Sequence, residues 1–417
     1  MRKYLVAILT FAVCIVSDMQ AQEFRYRNVL VRDFRTVWQG EVINYNIGTA
    51  AHCPGTLSSL RKSLPADVKL TVWADTTLCP ELAQMMAMGF PDIPIVYGSL
   101  ENPSAELKAA MEASDLCLVS SGSGIAKSVR NSLSQYKALT GKAVAAYAIG
   151  YGKSLAKSID PMDFCWFRDE IALSRARKDG VKPSDGWAPD AVFDFDVADD
   201  TGAEEFIKAN GLKNGDFLCC IPGFRHTPGW EFYGTPVDQK KKQRNESFQS
   251  SDNSILRAVV CEAVRKHGRK VLICAEQIPE LRLCKEEIYD KLPEDVKKSC
   301  VLQTSLWSPQ LALGVYKRSL CVFGIEMHSQ VMAAGNGIPA CIFRHSGFGS
   351  KSDMFNTVGL GCWLLDIDDD GAQQKAVKMV SDILDHPSKA RRTLKNARKI
   401  IDSARNRALS VSFLKSE

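Results

Sequence analysis

Short apolar runs rich in β-branched and aromatic residues alternate along the chain with longer segments of helical period, almost to the C-terminus. That rhythm predicts repeated βαβ units and parallel sheets. In the first half it predicts strands at Asn28–Arg32, Lys69–Trp73, Ile95–Tyr97, Leu116–Ser120, Ala143–Ala148 and Phe164–Phe167. Pro54–Leu64 reads as a helix, since Leu57, Leu60 and Leu64 share a face and proline is tolerated in a first turn. In the second half the strands fall at Phe217–Ile221, Lys270–Cys274, Cys300–Gln303, Leu320–Gly324 and Ala340–Phe343. Helices are expected at Ser254–Lys266, Pro309–Tyr316, His328–Ala334, Ala372–Leu384 and Ser388–Ala404.

Pro183–Gly202, rich in Pro, Gly and Asp, separates the two series and reads as the interdomain region. The expected fold is α/β, with Rossmann-like doubly wound domains at residues 22–200 and 201–417, the second carrying the C-terminal helices. Such domains bind ligands at the carboxyl ends of their strands, so the residues just after strands are the ones to weigh.

Residues 1–21 differ from the rest. Arg2 and Lys3 precede an uncharged run, Tyr4–Val16, that ends in Ser17-Asp18, the layout of a secretory signal. At about 1.5 Å per residue the run falls short of a hydrocarbon core of about 30 Å, so a permanent anchor is the second choice. The expectation is an exported protein, periplasmic or extracellular, or one attached to a membrane by this segment alone.

The composition, 45% apolar and 24% charged over 417 residues, is globular and excludes disordered, collagenous and coiled-coil classes. The net charge is only +5, and the nearest approach to a basic stripe, Lys240-Lys241-Lys242-Gln243-Arg244, reads as a solvated loop. Nucleic acid is therefore not an expected partner. Of the 14 cysteines most lie in apolar runs, where a thiol behaves as a small buried hydrophobe, and no C-x-x-C pair occurs. Neither a metal nor a redox cofactor is expected.

Three places stand out. Gly48-Thr49-Ala50-Ala51-His52, inside Asn46–Gly55, leads into the first helix, and the turn Ser120-Ser121-Gly122-Ser123-Gly124 follows a strand; small residues there permit close backbone approach. Arg168 and Asp169 end another strand, ahead of Ser174 and of Pro189-Asp190. In Phe323–Ser329 a strand delivers Glu326 and His328 to its carboxyl end, and Arg344, His345 and Lys351 follow the next strand. In an extended segment Glu326 and His328 share a side, where the carboxylate would raise the basicity of the imidazole.

In their order and spacing, Asn46-Ile47-Gly48, Gly122-Ser123-Gly124, Arg168-Asp169 with Ser174, Pro189-Asp190, and Met327-His328 through Gly337-Ile338-Pro339 resemble the polysaccharide pyruvyl transferase family over about residues 40 to 366. The resemblance implies two Rossmann-like domains in a GT-B-like arrangement. It also implies transfer of the enolpyruvyl unit of phosphoenolpyruvate, a co-substrate, to two hydroxyls of a polysaccharide or oligosaccharide acceptor, giving a ketal. His328 matches the family's motif histidine and is the expected general acid, and Lys351 matches a family lysine. Arg225, after the strand Phe217–Ile221, and Arg344 are the expected anion clamps, as an anionic donor requires. Two positions depart from the family: Thr49 stands where a carboxylate is common, and Glu326 where arginine is common. The alternatives are a GT-B glycosyltransferase using a nucleotide sugar and a catalytically silent carbohydrate-binding relative. An exported enzyme would also lack ready access to phosphoenolpyruvate, a cytosolic metabolite.

Overall fold

The computed structural model describes residues 23–33, 46–125, 127–152, 161–232, 235–348 and 352–414. The signal-like segment and Lys351 lie outside them. No helix among the described residues is long and apolar enough to cross a membrane.

Seven strands build the first sheet: β1 (Asn28–Asp33), β2 (Lys69–Ala74), β3 (Ile95–Tyr97), β4 (Leu116–Val119), β5 (Ala143–Ile149), β6 (Phe164–Phe167) and β7 (Gly186–Trp187). They are ordered β3-β2-β1-β4-β5-β6-β7, and every pair is parallel. The second sheet has six, β8 (Phe217–Ile221), β9 (Lys270–Ile273), β10 (Cys300–Leu302), β11 (Cys321–Gly324), β12 (Ala340–Arg344) and β13 (Leu364–Asp366), in the order β10-β9-β8-β11-β12-β13. These are also parallel throughout. Helices cover both faces, so the central strands β4 and β8 are buried at every residue and read in sequence as unbroken apolar runs. Both sheets reverse strand order between their first and fourth strands, β1/β4 and β8/β11, the switch points where doubly wound sheets open a crevice.

Four helices position the site: α1 (Ile47–Ser63), α2 (Gln239–Arg265), α3 (His328–Gly335) and α4 (Pro387–Phe413). Helix α1 begins seven residues before the expected start and carries Pro54 in its interior. It is buried from Ile47 to Leu60 apart from a half-buried Thr49, because it lies between the halves, so its polar residues His52, Thr56, Ser58 and Ser59 face protein. Helix α2 begins at Gln239, so Lys240–Arg244 occupies its exposed first turns behind the N-cap Asp238; the expected loop is corrected to helix.

Two glycines let the halves meet. A Cβ on Gly48 would stand 2.0 Å from Cβ of His328, and one on Gly335 would stand 2.2 Å from the carbonyl oxygen of Phe193. Between them runs the turn Ala191–Asp194, which packs on both α1 and α3. Helix α4 leaves the second half and returns to the first: Phe413 packs edge-on against Tyr26, and Ser412 accepts a hydrogen bond from Trp166. Among the described residues all 13 cysteines are free thiols, ten of them buried.

Candidate functional site

The carboxyl ends of the two sheets bring together residues from six segments. Asn46 caps α1 by accepting from the Thr49 N–H at 3.0 Å, and its own amide donates to Glu276 Oε1 at 3.0 Å. Glu276 follows β9 and is fully buried. Its Oε2 accepts from the backbone N–H of Ser329 at 2.8 Å and from the Ser329 hydroxyl at 3.0 Å, and its Oε1 faces His328 Nδ1 at 3.2 Å. Burial pushes this carboxyl up, but His328, Ser329 and Asn46 outweigh burial and hold it below the usual range. An ionised carboxylate only accepts, so Nδ1 donates to it. His328 Nε2 is left buried and without a hydrogen-bond partner among the described residues.

Opposite stands His52 on α1, its ring edge-on to that of His328 with centroids 5.1 Å apart. His52 Nδ1 lies 3.3 Å from Asp190 Oδ1. Asp190 is fully buried; burial alone would raise its pKa, yet His52 first, then Arg168 and His328, hold it well below the usual carboxylate range. Arg168, 3% exposed, places Nη1 3.6 Å from Asp190 Oδ2 and Nε 3.8 Å from Asp169 Oδ2. Asp169 also caps the helix Glu170–Lys178 through Ala172 N–H at 2.6 Å, and burial pushes its pKa up. Ser121 donates to the carbonyl of Ala148, whose φ of +51° is left-handed at a break in the β5/β6 register. A non-glycine residue held there stores local strain of a kind that clusters at functional sites. Gly122 pairs with the same strand and Ser123 is exposed beside it.

The structure thus unites Gly48, Thr49, His52, Gly122, Arg168, Asp169 and His328, with Asp190 beside them. The sequence reading missed Glu276 as the partner of His328, although an acidic residue just after the strand Lys270–Cys274 was the available signal. Glu326 does not fill that role. The chain leaves β11 at Gly324 and is helical from His328, so the two-residue alternation that would align the side chains fails; Glu326 instead accepts from Gln277 at 3.3 Å.

The expected anion clamps are also corrected. Arg225 binds Asp252 through Nε and Nη2, each at 2.8 Å, pairs with Asp368, and lies over the Phe248 ring at 3.8 Å. Arg344 is paired with Asp353 at 2.8 Å and approaches Asp366. Both guanidiniums are engaged by carboxylates from other segments. For Arg225→Ala the expected result is a loss of about 3 kcal/mol in denaturant unfolding, because Asp252 would be left buried and unpaired; an unchanged midpoint would restore the clamp reading.

A cavity of about 210 Å³ opens at the β8/β11 switch point, lined by Phe224, Arg225, His226, Thr227, Lys241, Glu326 and Phe348. A larger groove of about 550 Å³, lined by Leu60, Leu64, Leu70 and Ile93, lies at the amino ends of β2 and β3, away from these groups. Near the small cavity His345 packs edge-on against Phe348 and is pushed down to about 4 by burial and by Arg225. An unfolded histidine titrates near 6.5, so from about pH 6.5 towards pH 4 the unfolded chain takes up a proton that the folded chain does not. Thermal unfolding should therefore show stability falling as pH is lowered through that window, and His345→Gln should flatten this part of the profile.

No protein-family model matches the chain, and no curated protein matches it either. Among solved structures, the chain is similar to a putative UDP-N-acetylglucosamine 2-epimerase from Listeria monocytogenes, with a TM-score of 0.59 at 14% identity over 93% of this chain and 95% of that one. It is similar to the UDP-GlcNAc 2-epimerase from Neisseria meningitidis bound to UDP-GlcNAc, with a TM-score of 0.53 at 10% identity over 92% and 99%. The ADP-heptose LPS heptosyltransferase II of E. coli matches with a TM-score of 0.51 at 10% identity over 87% and 99%. These likenesses establish a two-domain α/β fold of GT-B type. They overturn the expectation of pyruvyl transfer from phosphoenolpyruvate, since the matching folds are those of nucleotide-sugar epimerases and a heptosyltransferase, and two of the cations assigned to that donor, Arg225 and Arg344, are already paired.

Proposed function

We propose that the protein is an enzyme acting on a nucleotide-activated sugar. The observation that carries this reading is the His328–Glu276 pair, buried at the cleft two residues from Glu326 and so next to the switch-point cavity. The β8 and β11 loops touch there: a Cβ on Gly223 would meet Ile325 and the backbone of Glu326. The cavity carries Lys241 in the first turn of the 27-residue helix α2, an exposed lysine 3.2 Å from the N-cap Asp238 that a phosphate would have to draw away, and Thr227 and His226 add hydrogen-bonding groups. The fold-level support is analogy: relatives in architecture bear names of UDP-GlcNAc and ADP-heptose enzymes. In this reading Glu276 fixes the ring of His328, Nε2 exchanges a proton with the sugar or its leaving group, and Arg168 and His52 hold the sugar side.

Binding tests the reading. Calorimetry with UDP, UDP-GlcNAc and an ADP-sugar should give saturable binding of at least one ligand to the native chain, weakened by Lys241→Ala. Absence of binding by every nucleotide and nucleotide sugar at millimolar concentration would overturn it.

A further inference from the structure

Three side chains from three different segments converge inside the cleft, with His52 Nδ1 3.3 Å from Asp190 Oδ1. His52 from α1, Asp190 from the turn before Ala191–Asp194 and His328 from α3 each offer a ligand atom, and these atoms all lie within 4.8 Å of one another. Asp190 is fully buried, and its Oδ2 has no hydrogen-bond partner among the described residues; neither has His328 Nε2. Asp190 Oδ1, by contrast, is fixed by the Val192 N–H at 3.0 Å, which sets the carboxylate's orientation. The rings of His52 and His328 stand at 84° to each other with centroids 5.1 Å apart, so they meet edge to face and do not stack.

We propose that His52, Asp190 and His328 form a binding site for a divalent transition-metal ion of the zinc class, with a fourth position open to the cleft. Two imidazole nitrogens and one carboxylate oxygen are the donor set such ions prefer over magnesium or calcium, and three protein ligands with an open position are the pattern of a reactive rather than a structural site. The surroundings fit. His328 turns its other nitrogen to Glu276 at 3.2 Å, and a carboxylate behind a ligating histidine fixes the tautomer and ring orientation and makes the ligand more basic. Charge also favours a cation: Asp169 and Asp190 flank the guanidinium of Arg168, and Glu276 adds a third carboxyl group beside His328. Arg168 keeps Nε and Nη1 without hydrogen-bond partners, so it remains available to an oxyanion approaching the open position.

This inference rests on the donor set alone, and because an ion on His328 Nε2 would occupy the atom proposed above to exchange a proton, it concerns the sugar-free protein and its test contains no sugar. Full-length protein freed of metal by chelation and dialysis is titrated with ZnCl₂ by calorimetry and with CoCl₂ by visible absorption. The expected result is one equivalent bound, a Co²⁺ spectrum of low-coordinate type, and at least a tenfold loss of affinity in each of His52→Gln and His328→Gln. Thermal melts of both apo variants check that they fold, and a melt of the native apo protein should rise on adding one equivalent of Zn²⁺. Binding that is absent in the native chain, or unchanged in both folded variants, would overturn the site. Were either single variant misfolded, histidine ring resonances of the native protein by NMR would decide: two of the six imidazoles should shift at one equivalent of Zn²⁺, and no shift would count against the site.

Discussion

Glu276→Gln is expected to lower turnover at least about 100-fold once a sugar substrate is in hand, and His328→Ala to do the same. The reason is the direction of one hydrogen bond. Glu276 accepts from Asn46 and Ser329 and takes the proton of His328 Nδ1, which leaves Nε2 as the free end of the ring. A glutamine there keeps the volume but loses the charge, and its amide must face at least one existing donor. Because the two side chains act as a unit, the double variant should be little worse than either single one. Steady-state kinetics check this: losses that multiply in the double variant would mean that the residues work independently, and full activity in either single variant would remove the pair from the chemistry.

The second large effect lies outside the reacting groups. Asp194→Ala is expected to cost about 3–5 kcal/mol, the range for removing one partner of a buried ionic network. Asp194 is 2% exposed and holds Arg405 at 3.0 Å, Arg398 at 2.5 Å and the hydroxyl of Ser59 at 2.8 Å, with Lys62 nearby. It thereby ties α4 to α1 and to the turn that carries Asp190. Its loss would leave the buried Arg405 with Asp402 as its remaining carboxylate partner and loosen the hold of α4 on the first half. Urea unfolding reads the energy, and hydrogen exchange should show α4 losing protection before the central strands. A variant within 1 kcal/mol of the native chain would contradict this view of how the halves are joined.

How much of this was legible in the sequence follows from burial. Parallel strands covered on both faces appear as continuous apolar runs, so β4, β5 and β8 were readable to within a residue or two. Helix α1 was placed late because it is buried on all sides; without a solvent face it has no polar stripe, and His52, Thr56 and Ser59 interrupt the apolar period. The edge strand β7, with two residues, gives too little pattern to register. His328 was found from its position at a strand end. Its true partner was passed over because Glu326 is near in sequence, whereas Glu276 is 52 residues away. Partners that only the fold brings in also misled the reading of Arg225 and Arg344. A guanidinium looks available in sequence when its carboxylates, Asp252 and Asp368 in one case and Asp353 and Asp366 in the other, arrive from other segments. Asp190 was visible only as part of a motif, and its meeting with His52 across 138 residues needed the fold.

Turnover is the most direct measure of the central claim, that the cleft between the two sheets processes a nucleotide-activated sugar through His328. The native chain and His328→Ala would be incubated with UDP- and ADP-linked sugars, with and without a sugar acceptor, and followed by ³¹P and anomeric ¹H NMR. The account predicts that at least one nucleotide sugar is consumed or epimerised by the native chain, and about 100-fold more slowly by the variant. No change in any donor under the native chain, or equal rates from both proteins, would contradict it.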